Sequence, residues 1–479
     1  MQTRMTPDNT EFVILCFEGP DRYSLAGGLG VRISTLSATL VRMGFRTHHF
    51  FIGDPTLPGA EERWGGRLVL RRWCQWISEY HRGGVYEGEE DKIRDYSMSI
   101  PGIVRDEIVM PATRKGKTVV VLGEEWQTAQ SVCQLSEVLS SGGLRDRVVM
   151  FWNANNTYGF DRIDWRQLDR SATITTVSRY MKHIMWGMGL NPLVIPNGIP
   201  RTLFGKTDEA KVQALRKALG GDLILFKVAR WDPDKGWNQA VEAAAHLKRD
   251  SGVRSVLVAR GGTEPYGREV RSNARSMGLA VTATKPDCDS FDHCLAEVGK
   301  AAAADVIDIR SHMPLELLKV FYRASSAVLA NSSHEPFGLV GLEAMAAGGV
   351  AFTGCTGEDY AIPFVNAVVL ETNSSSEIAE YVSYLWEHPE EDVRIRKAAR
   401  RTARDFTWEA ATRNLLSKLE NQARIQGVLA GRAHPSPLPR FDIDRTKPAK
   451  GKGAIRTPRT VSRGLRPPPR TRKPRDGDR

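Results

Sequence analysis

Two carboxylates and two cations carry the chemistry that this sequence offers. Glu335 and Glu343 stand eight residues apart within His334–Gly348, which reads His-Glu-Pro-Phe-Gly-Leu-Val-Gly-Leu-Glu-Ala-Met-Ala-Ala-Gly. Pro336 has the preset φ of a first helical residue, and Gly338 permits close backbone approach. A helix starting here aims unpaired amides and the positive end of its dipole at whatever precedes it, which favours an anion. Carboxylates beside a phosphate would repel it, so the two glutamates suit hydroxyl donors. A sugar and a ribose at opposite ends of a diphosphate supply such hydroxyls. A capping glutamate plus a solvated helix glutamate is an equally open reading at this level. Arg230 and Lys235 lie five residues apart in Arg-Trp-Asp-Pro-Asp-Lys-Gly. Cations so spaced across a turn can clamp a diphosphate and neutralise a leaving nucleotide; the bland alternative is two solvated loop cations. Asp232-x-Asp234 has the outline of a metal-binding pair, but the adjacent lysine and the intervening proline argue against a metal, and none is assigned.

These groups need rigid elements behind them. Ser326–Ala330 is an apolar run of strand length, Asn331–His334 is turn-like, and from Leu339 the pattern is helical until Gly348-Gly349. Leu223–Ala229 is a continuous apolar strand whose carboxyl edge releases Arg230, with a helix following to about Asp250. Open parallel sheets bind ligands at that edge. At the other end of the chain, Phe12–Cys16 reads as a buried strand. It leads through Gly27-Gly28-Leu29-Gly30 to a helix over about Val31–Met43 and a strand at Phe45–Ile52. This is a Rossmann-like opening without the dinucleotide fingerprint, since Ile33 stands where a glycine is required. Further strands fall at Val119–Leu122, Val148–Trp152, Ala172–Val177, Ser255–Ala259, Val306–Ile309 and Val350–Thr353. Arg71–Tyr80 reads as a helix with Trp73 and Trp76 on one face, and residues 201–221 as a polar linker. Thr407 is placed to cap a final helix.

With 479 residues, 41% hydrophobic and 26% charged, the chain has ample material for two α/β domains. No run approaches the ~18 apolar residues of a membrane span. Met1–Glu11 lacks the apolar core of a secretory signal. Six scattered cysteines suggest reduced thiols and a cytoplasmic location. The net charge of +11 is local: residues 440–479 hold 14 Lys/Arg against 4 Asp/Glu, and the rest is nearly neutral. That tail is rich in proline and arginine without periodicity and is expected to be disordered. It offers contact with anionic lipid or nucleic acid, or no dedicated partner at all.

Glu335 and Glu343, with Phe337-Gly338-Leu339 between them and Glu343-Ala344-Met345-Ala346 closing the run, resemble the E-x7-E signature of retaining GT-B glycosyltransferases. The similarity points to family 4 (group 1) and to the glycogen and starch synthases, and extends over most of residues 11–430. It implies two Rossmann-like parallel-sheet domains facing across a cleft. Residues 1–200 would form the acceptor-side domain and 201–405 the nucleotide-sugar domain. A helix at 406–432 would cross back, and 433–479 would be the tail. It further implies transfer of a hexosyl unit from a UDP-, ADP- or GDP-linked donor to a carbohydrate or other hydroxyl acceptor, with no cofactor and no metal. In that scheme Glu335 orients the donor sugar, Glu343 the ribose, and Arg230 and Lys235 hold the diphosphate. Phe337, Gly338 and Leu339 shape the helix entrance, Gly28 and Gly30 abut the phosphates from across the cleft, and Gly261 and Gly262 let backbone approach the nucleotide. Thr356 and Gly357 offer amides to phosphate, Glu125 and Trp126 line the acceptor side, and Asn153 has a positional role beside the reacting sugar. Three positions depart from the synthase pattern: Leu25 replaces a lysine, Asn153 a histidine and Glu358 a glycine. These departures keep a nucleotide-sugar-binding protein with a degenerate acceptor site in view, alongside an α-glucan polymerase.

Overall fold

The computed structural model describes residues 3–250 and 252–430; the basic tail lies outside them. Among the described residues, fifteen strands form two sheets. The first contains β1 (Thr10–Leu15), β2 (Arg46–Ile52), β3 (Ala60–Arg63), β4 (Leu68–Trp73), β5 (Thr118–Glu124), β6 (Val148–Ala154), β7 (Thr173–Thr176) and β8 (Leu193–Val194). Their spatial order is β3-β4-β2-β1-β5-β6-β7-β8, and only the β3–β4 pair is antiparallel. The second sheet is wholly parallel. It is made of β9 (Leu223–Val228), β10 (Ser255–Arg260), β11 (Val281–Thr284), β12 (Val306–Ile309), β13 (Ala327–Ala330), β14 (Ala351–Thr353) and β15 (Val368–Val369), ordered β11-β12-β10-β9-β13-β14-β15. Helices cover both faces, which is why the inner strands read as unbroken apolar runs. In each sheet the strand order reverses at a central strand, β1 and β9, and the crevice that opens there lies at the strands' carboxyl ends. The glycine loop follows β1, Arg230 follows β9, and the His334–Gly338 segment follows β13.

Two segments differ from expectation. Arg71–Tyr80 is not one helix: β4 runs to Trp73, Cys74 turns the chain at φ +54°, and only Gln75–Ser78 is helical. Strand pairing decides this, because β4 takes its register from β2 (Thr47↔Leu68 to Ile52↔Trp73). Trp73 packs on Phe50 while Trp76 is exposed, so the two indoles share no face. The supposed linker contains a helix, Glu209–Leu219, capped by Asp208 and buried through Val212, Leu215 and Leu219. Those three residues keep helical spacing in a segment otherwise polar enough to look like a connection.

The Trp408–Ile425 helix, capped by Thr407, packs Trp408, Leu415, Leu419 and Ala423 against Phe12, Ile33, Leu36 and Leu40 of the first half. Its start is pinned where Ile199 and Trp408 exchange backbone hydrogen bonds with the facing chain (Ile199 amide to Phe406 O, 2.8 Å; Trp408 amide to Ile199 O, 3.2 Å). A Cβ on Gly198 would stand 2.6 Å from Trp408 Cα. Gly198→Ala should therefore destabilise the fold by roughly 1–3 kcal/mol through overpacking. Gly102, whose Cβ position is open, should accept alanine without loss. Urea unfolding midpoints of the two variants check this.

Candidate functional site

A cleft of about 830 Å3 lies between the two sheets. The second half contributes Lys227, Arg230, Asp234, Lys235, Ser332 and His334–Leu339; the first contributes Gly28, Leu29, Arg32, Asn155, Tyr158 and Asn197. Arg179 of the first half bridges to the second, its amide donating to Asp359 Oδ2 at 2.7 Å. Of the residues singled out from the sequence, Arg230, Lys235, Glu335, Phe337, Gly338, Leu339 and Gly28 meet in this cleft.

On the second-half wall, Lys235 Nζ donates to Glu335 Oε2 at 2.8 Å, both side chains being partly buried. Lys235 ends a 3-10 turn, Pro233–Lys235, whose first amides are capped by Asp232 (Asp234 amide to Asp232 Oδ1, 3.0 Å). Asp232 thus serves the turn. Gly236 follows at φ +65°, where a Cβ would collide with Asn331 O at 2.3 Å. Glu335 is clasped from the far side: its amide donates to Thr356 Oγ1 at 3.0 Å, and that hydroxyl reaches back to Glu335 O at 3.3 Å. A Cβ on Gly357 would lie 2.1 Å from Glu335 O, so glycine there lets the two loops touch. Arg230 is exposed, and its side chain has no ion pair or hydrogen bond among the described residues; its carbonyl accepts from Trp237 Nε1 at 2.7 Å. The Phe337 ring is buried against Tyr360 and Phe406.

The remaining residues sit elsewhere than expected. Glu343 is not among those lining the cleft; its Oε2 accepts from Tyr322 at 3.1 Å. Burial holds its carboxyl up at about 7, against the lowering effect of the tyrosine bond. The Gly30 amide is already taken. Glu18 Oε2 accepts from the amides of Ala26, Gly27 and Gly30 at 2.9–3.1 Å, so an internal carboxylate occupies the nest that a phosphate would use. The Thr356 amide is likewise directed at Glu358 Oε2, at 3.2 Å. Glu358 is buried beside Gly338, and burial raises its carboxyl to about 8, with the Glu335 charge adding to the effect. Gly261 makes room for the Trp231 ring and Gly262 for Glu264, and neither lines the cleft. Asn153 is buried with its amide spent internally: Nδ2 donates to Glu124 Oε2 (3.0 Å) and Oδ1 accepts from Thr175 (2.8 Å). Glu125 is buried at φ +68°, accepts from the Asn155 amide at 2.7 Å and is raised by burial to about 8. Trp126 is buried under Arg162, which stacks 4.0 Å from the ring centroid, in a separate pocket.

Residues 209–402 match the family model of glycosyl transferases, group 1. A D-inositol 3-phosphate glycosyltransferase of Actinosynnema mirum is 30% identical over 234 residues, covering 47% of this chain and half of that relative's length. Other curated relatives with the same name are matched over 31% to 63% of theirs. Among solved structures, sucrose-phosphate synthase from Thermosynechococcus elongatus superposes with a TM-score of 0.60 at 16% identity, over 87% of this chain and 99% of that one. Anabaena HepE, solved with UDP and glucose, gives a TM-score of 0.53 at 15% identity, over 85% and 99%. At such identities the likeness establishes the fold, which is GT-B.

Sequence reading passes over three charged residues that shape this site. Glu18, which holds the glycine loop, carries no local signal. Arg32 lies within the Gly28–Arg42 helix and Lys227 within β9, and both were absorbed into apolar patterns. A charge at a core position of an otherwise apolar run was the available signal. Arg32 holds Glu124 through two contacts of 3.2 Å and also donates to Asn197. Glu124 in turn gathers Asn153 and Asn155. Because both charges are buried, Arg32→Met should destabilise by roughly 3–5 kcal/mol through the orphaned carboxylate. Arg32→Met with Glu124→Gln should recover most of that in urea unfolding. Equal losses in the single and double variants would show that the pair is not the reason.

Proposed function

We propose that this chain is a retaining glycosyltransferase that moves a hexosyl unit from a nucleoside diphosphate sugar to an acceptor hydroxyl, without a metal ion. The observation that carries the reading is the meeting of Arg230, Lys235 and Glu335 at the entrance of the Leu339–Ala347 helix in one cleft. Arg230 and Lys235 stabilise the charge that builds on the diphosphate as the anomeric C–O bond breaks, aided by the helix's first amides. Glu335 orients the sugar hydroxyls. Glu335 is engaged by Lys235 rather than free to act as a nucleophile, which is in keeping with a front-face reaction. There the acceptor oxygen bonds to the anomeric carbon on the face the phosphate leaves, and the departing phosphate oxygen takes the acceptor's proton. The relatives named as D-inositol 3-phosphate glycosyltransferases favour a small polyol acceptor over a growing glucan. The described cysteines are all free, as a reducing cytoplasm would keep them.

The test is turnover of UDP-, ADP- and GDP-sugars with inositol phosphates and oligosaccharides as acceptors, with the product anomer read by NMR coupling constants. One donor should react, and an α-linked donor should give an α-linked product. Arg230→Ala, Lys235→Ala and Glu335→Gln should each lower turnover at least tenfold, about 1.4 kcal/mol of transition-state stabilisation, with unchanged unfolding midpoints. Wild-type rates in all three would refute the site, and an inverted product would refute retention. Donor binding without turnover would favour a nucleotide-sugar-binding protein.

A further inference from the structure

Lys227 lines the cleft, the mechanism above gives it no role, and its surroundings are unusual. It lies in β9, the central strand of the second sheet, and only 1% of it is exposed. Its Nζ donates to Leu329 O at 3.1 Å and to Asn331 Oδ1 at 2.5 Å. Asn331 is itself locked, with its Nδ2 donating to Gly236 O (3.1 Å) and Asn373 Oδ1 (3.2 Å), so its carbonyl stays turned toward the lysine. The Trp237 ring lies 5.2 Å from Nζ. Two neutral acceptors satisfy two of the three donors of an ammonium. No carboxylate among the described residues pairs with Lys227, and the charges that face it are Lys235 from the turn after β9 and Glu335 from the loop after β13. Glu335 is already engaged by Lys235. Lys227 is therefore a buried amine, lining a cleft, that lacks a counter-charge.

We propose that Lys227 is a third phosphate-holding cation, protonated as the donor's diphosphate arrives, so that donor binding takes up a proton. The inference rests on the reading of the cleft as a nucleoside diphosphate site. Burial, with the like charge of Lys235 second, pulls the Lys227 amine down to about 7, and Glu335 only partly opposes this. An anion beside Nζ favours the charged form and raises that value. Below about pH 7 the amine already carries its proton, and binding takes up none on its account. Above that, up to the raised value in the complex, each bound diphosphate brings in close to one proton, and affinity falls by as much as tenfold per pH unit.

The experiment is calorimetric titration of the full chain with UDP, ADP and GDP at pH 8 in two buffers of different ionisation enthalpy, repeated between pH 6.5 and 9. The diphosphate that binds should take up between a half and one proton at pH 8. Lys227→Met should lose the uptake and bind more weakly at pH 7, and Lys227→Arg, charged throughout, should show no uptake and a flat profile. Glu358→Gln, Glu343→Gln and Glu125→Gln, which each remove a carboxyl near the cleft that burial raises into this range, should keep the uptake. Binding without uptake in the wild type overturns the inference while leaving the donor site standing, as does uptake that survives in Lys227→Met or vanishes in any of the three glutamine variants. Failure of all three diphosphates to bind overturns the donor site and the inference together.

Discussion

The 2.8 Å contact between Lys235 and Glu335 joins residues a hundred positions apart, and sheet register is what makes it possible. β9 and β13 are parallel neighbours, paired Leu225 to Ala327 and Phe226 to Val328, so the loops that leave their carboxyl ends are delivered side by side. Every other feature of the second-half wall serves that meeting. Gly236 lets the first loop press on Asn331, and Gly357 and Thr356 hold the second loop in place. Half-buried and single, the pair is expected to contribute modestly to stability. On the proposed reading, cation and anion sit together to meet a phosphate and the hydroxyls of a single sugar-phosphate ligand.

The opposite wall is built on a different principle. Arg32, Glu124, Asn153, Asn155 and Asn197 form a largely buried polar network in which Glu124 collects Arg32, Asn153 and Asn155, while Asn155 Oδ1 has no partner among the described residues. Glu18 collects amides of the glycine loop in the same way, and the Asp21–Arg72 ion pair ties that loop to β4. A wall whose donors are largely satisfied internally is held rigid, and Gly28, Leu29 and Tyr158 also line the cleft there.

Much of this architecture was legible in the sequence because parallel strands buried on both faces are apolar throughout and end at recognisable turns. The cleft-facing positions Arg230, Lys235 and Glu335 were legible for the same reason: each follows directly on such a strand. What escaped was whatever depended on contacts distant in the chain. No local pattern says that Glu18 will fold into the amides of Gly27 and Gly30, that Asn153 will turn inward to Glu124, or that Trp73 will join a strand while Trp76 faces solvent. Gly261 is expected to make room for a nucleotide, whereas in the fold it makes room for the Trp231 ring.

The most direct trial is a crystal structure of the chain with bound UDP. The account expects the β-phosphate within about 2.7–3.2 Å of Lys235 Nζ and of the Arg230 guanidinium, at the start of the Leu339–Ala347 helix. A nucleotide seated elsewhere, for instance in the 730 Å3 cavity beneath the Trp408–Ile425 helix, with the Lys235–Glu335 contact untouched, would contradict it.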